Sequence, residues 1–421
     1  MLDGRICRIG FVAKRLAGTD GVSLEVAKWS KVLTELGHKC FYFAGESDLP
    51  ADRTRIVPEA HFNHPDVIKL TVDLFDNWSR SSETSGKVQS LRFYLKEKLY
   101  QFIDHFQLDG LIVENALSIP MNIPLGLAIT ELIAETSIPT IAHHHDFGWE
   151  RSRFKVSAAS DYQLGSFPPI LPSVHHVVIN TTAGRQLARR TGASSTLIPN
   201  VMDFENPPPK PDGFADDMRA ELGIDSDEYL LLQPTRIVPR KRVEFAIELV
   251  RRLELPCVLL FTHGFGDEGD KYSNYLVEYA RLLGVKVIYG TDRFDYIRQT
   301  SKDGKKIYSL RDAYQQADLV TYPSTIEGFG NAFLETIYYR RPIVMSAYEI
   351  YRTDIEPKGF KVIDFMNIID DKTVEQTRNI LTHPEIVTSI IDHNYELGRR
   401  FYSYDILRHK LVALLSECMG L

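Results

Sequence analysis

The sequence predicts an α/β protein built from two doubly wound, parallel-sheet domains. Short apolar runs alternate with helical patterns along most of the chain, as in a parallel sheet with helices on both faces. The 421 residues exceed one ordinary domain of about 100–200 residues. The stretch 199–213, PNVMDFENPPPKPDG, interrupts the alternation, because its prolines preclude regular structure. We therefore expect two domains joined by this linker.

The first βαβ unit opens the chain. The apolar run 6–12 precedes a glycine-containing loop and a helical pattern with Val26 and Trp29 on one face. Gly37 ends this helix, and the run 39–43 completes the unit. Further predicted strands lie at 110–113, 139–142 and 176–179. Residues 1–198 are therefore predicted to form an N-terminal Rossmann-like domain.

After the linker the alternation restarts. Strands are predicted at 229–233, 257–262, 286–289, 319–322 and 342–346, and helices at 243–253, 272–283, 310–316 and 332–340. Residues 214–395 are therefore predicted to form a C-terminal Rossmann-like domain. We expect a last helix, 396–421, to pack back on the N-terminal domain. Because ligands bind at the carboxyl ends of parallel strands, the cleft between the domains is the expected active site.

The composition excludes several classes of protein. With 44% hydrophobic and 25% charged residues the chain is expected to fold, and the 49 basic and 56 acidic residues are scattered, which argues against nucleic-acid binding. No apolar stretch approaches the roughly 20 residues of a membrane-spanning helix, and the start lacks the pattern of a secretory signal. We expect a cytoplasmic protein. Its four well-separated cysteines predict neither a disulfide nor a cysteine metal site.

Residues 324–335, STIEGFGNAFLE, join a predicted strand to a helix. Glu327 lies in the loop and Glu335 in the helix, a pattern that also fits a plain helix cap followed by a solvated side chain. The glycines let the backbone approach a ligand, and the amides at the helix start would attract an anion. The backbone groups in question belong to Gly328, Phe329, Gly330, Asn331 and Ala332.

Residues 234–242, PTRIVPRKR, follow a predicted strand of the same domain. Arg236 and Lys241 are two cations in a loop at the carboxyl edge, where they would suit a diphosphate leaving group. A solvated basic turn is the alternative.

Residues 14–23, KRLAGTDGVS, connect the first strand to the first helix. Gly18 and Gly21, with the helix amides behind them, could cradle a phosphate. A plain glycine turn fits equally well.

Residues 141–154, IAHHHDFGWERSRF, place His143, His144 and His145 at the end of a strand. Alternate side chains of a strand point to opposite faces, so the three imidazoles cannot all bind one metal ion, and a zinc site would need ligands from elsewhere. The alternative is one packed histidine and two solvated ones.

Together these four segments resemble the family 4 retaining glycosyltransferases, which have the GT-B fold. Residues 324–335 resemble the E-x7-E signature, which implies that Glu327 contacts the transferred sugar and Glu335 binds the ribose hydroxyls. Residues 234–242 are similar to the R-x4-K phosphate clamp, with Thr235 and Arg242 where the family usually has glycine.

The resemblance extends to the N-terminal domain. The loop with Gly18 and Gly21 is similar to the family's glycine loop, which approaches the donor phosphate and the acceptor. The family's strand-end histidine, which contacts the donor sugar near its C6 hydroxyl, is matched best by His145 and next by His144. The acceptor-binding candidates are Asp20, Asp146, Trp149, Arg151 and Arg153, and the arginine pair would suit an acidic acceptor.

The resemblance implies a hexosyltransferase that moves glucose or mannose from UDP-glucose or GDP-mannose to the hydroxyl of a small soluble or saccharide acceptor. No metal or other cofactor is implied, and the D-x-D spacing of Asp225 and Asp227 falls at the amino edge, where it predicts a turn. The implied catalytic residues are Arg236, Lys241, Glu327 and His145. The alternatives are an epimerase or phosphorylase-like enzyme of the same fold, or a non-catalytic sugar-nucleotide binding subunit.

Overall fold

The computed structural model describes residues 6–18, 20–264 and 270–420. The chain divides into two compact units, of which the first comprises Met1–Val201 with Tyr404–Leu421 and the second comprises Met202–Ser403. Each unit contains a parallel sheet with helices packed on it, so the predicted α/β class of two Rossmann-like folds is confirmed.

The first unit is built on one sheet. Its strands are β1 (Arg8–Ala13), β2 (Lys39–Ala44), β3 (Thr54–Ile56), β4 (Gly110–Glu114), β5 (Thr140–His144), β6 (Val174–Val178) and β7 (Thr196–Leu197). Its helices up to residue 201 are α1 (Gly21–Glu35), α2 (Pro65–Leu74), α3 (Ser82–Phe106), α4 (Ile123–Thr136), α5 (Ser160–Ser166) and α6 (Thr181–Thr191). Among the described residues the sheet order is β3-β2-β1-β4-β5-β6-β7, with every pair parallel.

Helices cover both faces of this sheet because its strands are apolar on both sides. Along β1, Phe11 belongs to the core that includes Trp29 of α1, whereas the next residue, Val12, belongs to the core that includes Phe102 of α3. This alternation is the two-residue period of a strand.

The second unit repeats the architecture. Its helices are α7 (Met218–Glu221), α8 (Glu244–Leu253), α9 (Asp270–Leu283), α10 (Leu310–Gln316), α11 (Asn331–Tyr338), α12 (Asp371–Thr382) and α13 (Pro384–Tyr402). Its main strands are β8 (Tyr229–Gln233), β9 (Cys257–Phe261), β10 (Lys286–Tyr289), β14 (Leu319–Tyr322), β15 (Ile343–Ser346) and β16 (Ile363–Phe365), in the order β10-β9-β8-β14-β15-β16. A small sheet between β10 and α10 contains β11 (Phe294–Asp295), β12 (Gln299–Thr300) and β13 (Lys306–Ser309).

The chain ends with α14 (Tyr404–Met419), which belongs to the first unit. Its residues Leu407, Leu411, Leu414 and Leu415 are buried in the same core as Trp29. The sequence predicted a single helix over 396–421, but residues 396–402 form the end of α13 in the second unit. None of the helices among the described residues has the length and apolar character needed to cross a bilayer.

The proline-rich stretch is part of the second unit rather than a free linker. Gln315 of α10 donates a hydrogen bond of 2.6 Å to the carbonyl of Pro209, and Arg311 donates one of 2.9 Å to the carbonyl of Lys210. The division between the units falls after Val201, inside the predicted linker 199–213. A proline has no backbone N–H to donate, but its carbonyl can still accept a hydrogen bond, as that of Pro209 does from α10.

In the main sheet of each unit the strand order reverses beside the first strand. β1 lies between β2 and β4, and β8 lies between β9 and β14. Ligands of doubly wound sheets bind at the carboxyl ends of the strands at such a reversal. The ends of β1 and β4 and the ends of β8 and β14 are therefore where functional side chains are expected.

The packing of α14 gives a prediction for stability. Leu411 is 0% exposed, and we expect Leu411→Ala to lower the free energy of unfolding of the first unit by about 2–5 kcal/mol, because it leaves a cavity. Urea denaturation followed by tryptophan fluorescence measures this unit selectively, since Trp29, Trp78 and Trp149 all lie in it. Ser416→Ala, at an exposed position of α14, is the control, and equal stability of the two variants would contradict the packing.

Candidate active site

The first candidate site lies at the carboxyl ends of β8 and β14 in the second unit. These strands are parallel neighbours, with Leu231 opposite Leu319 and Leu232 opposite Val320. The R-x4-K segment follows β8 and the E-x7-E segment follows β14. The strand reversal therefore brings the two motifs to one place.

An ion pair joins the two motifs. Lys241 ends the short 3₁₀ helix Pro239–Lys241, and its ammonium group donates a hydrogen bond to Glu327 Oε1. Arg240 Nη1 lies 3.9 Å from Glu327 Oε2. Lys241 is 8% exposed, and its Nζ lies 5.4 Å from the centroid of the Tyr322 ring. Lys241, for which the resemblance implies phosphate binding, and Glu327, for which it implies contact with the sugar, are thus direct neighbours.

The surroundings of Lys241 are electropositive. Burial lowers the pKa of Lys241, Glu327 opposes this effect, and the cations Arg240 and Arg236 lower the pKa further. Burial, Arg236 and Lys241 likewise lower the pKa of His263, which follows β9. Arg236 itself is exposed. Several cations around one carboxylate suit the binding of an anion.

Gly330 determines how α11 begins. Its φ is +120°, and a Cβ atom at this position would lie 2.3 Å from the hydroxyl oxygen of Tyr348, so only glycine fits. That hydroxyl donates a hydrogen bond of 2.7 Å to the carbonyl of Phe329. The Phe329 ring packs against Tyr402, with centroids 5.3 Å apart, so any role of Phe329 in binding rests with its backbone. α11 starts at Asn331, and a helix N-terminus carries a partial positive charge.

Glu335 is half-buried, one turn into α11. The hydroxyl of Tyr314 in α10 donates a hydrogen bond of 3.0 Å to Glu335 Oε2. Burial raises the pKa of Tyr314 well above its ordinary value, and Glu335 adds to the effect, so Tyr314 remains a neutral donor. In the same segment Gly328 is exposed and Ala332 is buried.

The second candidate site lies in the first unit, where the three histidines separate. The rings of His143 and His145 are 4.4 Å apart, and both contact Glu114 at the end of β4. His144 is directed elsewhere, with its Nε2 2.9 Å from His176 Nδ1. Burial lowers the pKa of His144 well below its ordinary value and that of His176 to about 4, so both are neutral. His145, and not His144, is grouped with Glu114.

Glu114 is a fully buried carboxylate held by two imidazoles. His143 Nδ1 lies 3.0 Å and His145 Nε2 lies 2.9 Å from Glu114 Oε2. Burial alone would raise the pKa of Glu114, but the two histidines lower it to about 2. Burial lowers the pKa of His143. Burial is also the largest single effect on His145, but the hydrogen bond and charge of Glu114, with the charges of Glu25 and Asp146, together outweigh it and raise the pKa. Glu114 is therefore ionised, and His145 is the imidazole that more readily carries a proton.

Asn115 connects this cluster to the acceptor-binding candidates. Its Oδ1 accepts a hydrogen bond of 2.9 Å from the backbone N–H of His145, and its Nδ2 donates one of 2.9 Å to Asp146. Arg151 Nε donates a hydrogen bond of 2.6 Å to the other carboxylate oxygen of Asp146. The backbone carbonyl of Asn115 accepts a hydrogen bond of 2.9 Å from Lys14 Nζ. Asp146 and Arg151 thus neutralise each other.

The predicted glycine loop has a defined geometry at both ends. Asp20 is the N-cap of α1, and its Oδ1 accepts hydrogen bonds of 3.0 and 3.2 Å from the second and third amides of the helix. Gly18 has a φ of +68°, and its N–H donates a hydrogen bond of 2.8 Å to Asp48. Gly21 is the first residue of α1, and Thr19 between them lies outside the described residues.

The other two acceptor-binding candidates differ in exposure. Trp149 Nε1 donates a hydrogen bond of 2.8 Å to Gln186 of α6, and the indole stacks on Phe147 with centroids 4.2 Å apart. Trp149 is therefore held by packing. Arg153 is exposed, and its guanidinium lies 4.6 Å from the centroid of the Phe154 ring.

One group of residues has the spacing of a metal site. Glu114, His143 and His145 offer three ligand atoms that all lie within 4.8 Å of one another. Glu114 ends β4, whereas His143 lies in β5 and His145 directly follows it, so the third ligand comes from outside the histidine run, as the sequence required. Both imidazoles already hydrogen-bond to Glu114, whereas His143 Nε2 is buried without a hydrogen-bond partner in the described part of the chain.

Comparison with known proteins identifies the family. The model of the family "Glycosyl transferases group 1" matches residues 214–363. A mannosylglucosylglycerate synthase of Thermotoga maritima is 33% identical over 438 aligned positions, which cover 95% of this chain and 97% of the relative. A protein of the same name from Petrotoga mobilis is 33% identical, covering 84% of this chain and 86% of the relative.

The chain belongs to the family 4 glycosyltransferases. The predicted family and the predicted enzyme class, a hexosyltransferase that uses a nucleoside-diphosphate sugar, are confirmed. A solved glycosyltransferase of Rickettsia africae has a TM-score of 0.67 at 12% identity, covering 98% of this chain and 99% of that one. The solved structure of HepE of Anabaena in complex with UDP and glucose has a TM-score of 0.65 at 13% identity. The match covers 97% of this chain and 99% of HepE. At such identities the likeness shows the GT-B fold alone.

Sequence reasoning missed Lys14, Glu114 and Asn115 as functional candidates. Each follows or ends an apolar strand of the first unit, β1 or β4. A polar or charged residue at the carboxyl end of an apolar run was the available signal, because such ends in a parallel sheet meet at one edge.

The Glu114 cluster gives a prediction for this glycosyltransferase. We expect Glu114→Gln to lower the pKa of His145 below its ordinary value, because burial would then act without the carboxylate. The measurement is a pH titration of the imidazole signals by NMR, with His145 assigned by the signal that disappears in His145→Gln. Glu131→Gln, which changes a carboxylate on α4, is the control.

The same change should alter stability in a defined pH range. Because the folded-state pKa of His145 is raised, its pairing contributes stability below the ordinary pKa of 6.5, and the contribution fades as the pH rises through the raised pKa. Glu114→Gln should therefore lose the most free energy of unfolding at pH values below 6.5 and above about 2, where His145 is protonated and Glu114 is ionised. An unshifted His145 titration in Glu114→Gln would show that the carboxylate does not control this imidazole.

Proposed function

We propose that this family 4 enzyme transfers a mannosyl residue from GDP-mannose to glucosylglycerate or a closely related small acidic acceptor, with retention of configuration and without a resident metal. The observation that carries the transfer is the pairing of Lys241 with Glu327 at the β8–β14 reversal. The relatives named mannosylglucosylglycerate synthase, one of which covers 95% of this chain, support the choice of product.

In this proposal the second unit binds the donor. Arg236 and Lys241 hold the diphosphate, Glu335 binds the ribose hydroxyls, and the amides at the start of α11 contact the phosphate or sugar. The electropositive surroundings of Lys241 support this assignment, because the leaving diphosphate gains negative charge in the transition state. Gly330 supports it too, because its φ of +120° sets the start of α11, and the N-terminus of a helix favours negative charge.

Glu327 acts on the transferred sugar through its ion pair rather than as a free nucleophile. Its carboxylate already accepts a hydrogen bond from Lys241 and lies near Arg240, which disfavours attack on the anomeric carbon. We therefore propose front-face transfer, in which the bond from C1 to the phosphate oxygen breaks and the bond from C1 to the acceptor oxygen forms on the same face. The acceptor proton passes to the departing phosphate oxygen.

The first unit contributes His145 and the acceptor-binding residues. His145 is the strand-end histidine that more readily carries a proton, so it is a suitable donor to a sugar hydroxyl. Asp146 is fixed by Asn115 and Arg151, which makes it a preorganised acceptor for a hydroxyl of the second substrate.

The proposal is tested by assaying the purified enzyme with GDP-mannose, GDP-glucose and UDP-glucose against glucosylglycerate, following released nucleotide and the anomeric signal of the product by NMR. We expect turnover with GDP-mannose and an anomeric configuration equal to that of the donor. Lys241→Met and Glu327→Gln should each lower kcat by about 10²–10³, as for other groups that stabilise developing charge.

The matched control is Arg242→Gln. Arg242 is the next cation along the chain, but it pairs with Glu244 at 2.9 Å, at the start of α8. The kcat of the Arg242→Gln variant should stay within about twofold of the wild-type value. Unchanged turnover in Lys241→Met and Glu327→Gln would refute the site assignment, and turnover with UDP-glucose alone would replace the proposed donor.

Metal independence has its own test. Dialysis against EDTA should leave kcat unchanged, because the cations of the chain perform the role that a divalent ion has in metal-dependent enzymes. The control is the same dialysis followed by addition of Mg²⁺, Mn²⁺ or Zn²⁺. Loss of activity that one ion restores would contradict the proposal, and Glu114, His143 and His145 would then be the first residues to replace.

A further inference from the structure

Lys14 is a buried cation at the point where the strand order of the first sheet reverses. It directly follows β1, whose last residue, Ala13, lies opposite Glu114, the last residue of β4. Lys14 is only 7% exposed. It therefore occupies in the first unit the position at which doubly wound sheets bind ligands.

The hydrogen bonds of Lys14 do not balance its charge. Its Nζ donates to the backbone carbonyl of Asn115 at 2.9 Å and to that of Ile119 at 3.5 Å. Across the part of the chain that the structure describes, no carboxylate lies within 4.0 Å of this ammonium group. An ammonium group has three donors, so one remains for a ligand. A buried cation without an anion is costly, which indicates that the anion is supplied by something that binds.

The charges around Lys14 also favour an anion. Asp146 pairs with Arg151, which leaves Lys14 and Arg153 as basic groups without a carboxylate of their own among the described residues. Among the described residues Arg153 makes no ion pair, and it is exposed. Burial lowers the pKa of Lys14 to about 7, Arg151 and Arg153 add to the effect, and Asp146 opposes it. A bound carboxylate would reverse this balance and favour the charged ammonium group.

We propose that Lys14, assisted by the positive charge of Arg153, binds the carboxylate of the acceptor and makes this transferase selective for acidic acceptors over neutral ones. This inference rests on the proposed function and deepens it. It also revises the role of the arginine pair, because Arg151 is committed to Asp146 while Lys14 has no carboxylate partner. Lys14 is thus a specificity-determining residue, at the carboxyl edge that also carries His145.

The experiment compares glucosylglycerate with glucosylglycerol, a neutral analogue in which a hydroxymethyl group replaces the carboxylate. In Lys14→Met we expect KM for glucosylglycerate to rise about 10- to 100-fold, the loss typical of one hydrogen bond to a charged group. KM for GDP-mannose and the rate with glucosylglycerol should stay near the wild-type values. The preference for the acidic acceptor should therefore fall by the same factor. Lys155→Met, which removes an exposed cation two residues after Arg153, is the control.

Folding is checked directly. Met has a volume close to that of Lys and removes a buried charge, so Lys14→Met should melt at or above the wild-type temperature. If it does not fold, Arg153→Gln, at an exposed position, provides the second variant and should raise KM for glucosylglycerate without affecting KM for GDP-mannose.

A binding measurement separates this inference from the proposed function. Calorimetric titration with D-glycerate should detect binding to the wild type and at least tenfold weaker binding to Lys14→Met. If the enzyme transfers mannose but prefers neither acceptor, the inference about Lys14 is wrong and the transferase assignment stands. If no nucleotide sugar is turned over, the proposed function fails. Glycerate binding that depends on Lys14 would then still support the anion site, and equal binding by both proteins would overturn it.

Discussion

The reversal of strand order beside the first strand of each main sheet is the constraint on which both sites depend. At β8 and β14 it brings Lys241 from one loop to Glu327 from another, 86 positions along the chain. At β1 and β4 it brings Lys14 to the backbone of Asn115, 101 positions away. Parallel strands end at one edge, and a reversal leaves the two loops there without a covering connection. Polar side chains can gather at such a place without disturbing the apolar core.

The two sites handle buried charge in different ways. In the second unit Lys241 is paired with Glu327, so a diphosphate that binds Lys241 would compete with a carboxylate already present. In the first unit Glu114 is paired with two imidazoles, while the neighbouring cation Lys14 donates only to backbone carbonyls. In the second unit, Lys241 is thus available to stabilise negative charge that develops during the reaction. In the first unit, Lys14 has no carboxylate partner among the described residues, which suits a substrate that is an anion before the reaction begins.

Much of the fold was predictable because strands and helices differ in their local period. The predicted ranges of β8, β10, β14 and α10 coincide with the observed ones. The short strands β11, β12 and β13 were missed. β11 and β12 have two residues each, too few to show alternation, and β13, KIYS, has only two apolar residues between polar ones. The prediction of a single C-terminal helix was wrong because residues 396–402 and 404–419 share one helical pattern, and only the packing separates α13 from α14 at Ser403.

The sequence by itself determined the two doubly wound domains and the spacing of each motif, because these properties depend on neighbours along the chain. The positions of Arg236, Lys241 and Glu327 after strand ends, and of Glu335 in the following helix, follow from that pattern. Only the tertiary structure decided that Glu114 binds His143 and His145 and that His144 joins His176 instead. The order of strands in a sheet sets these contacts, and no local period records that order, so the charge balance of the first unit became visible only after folding.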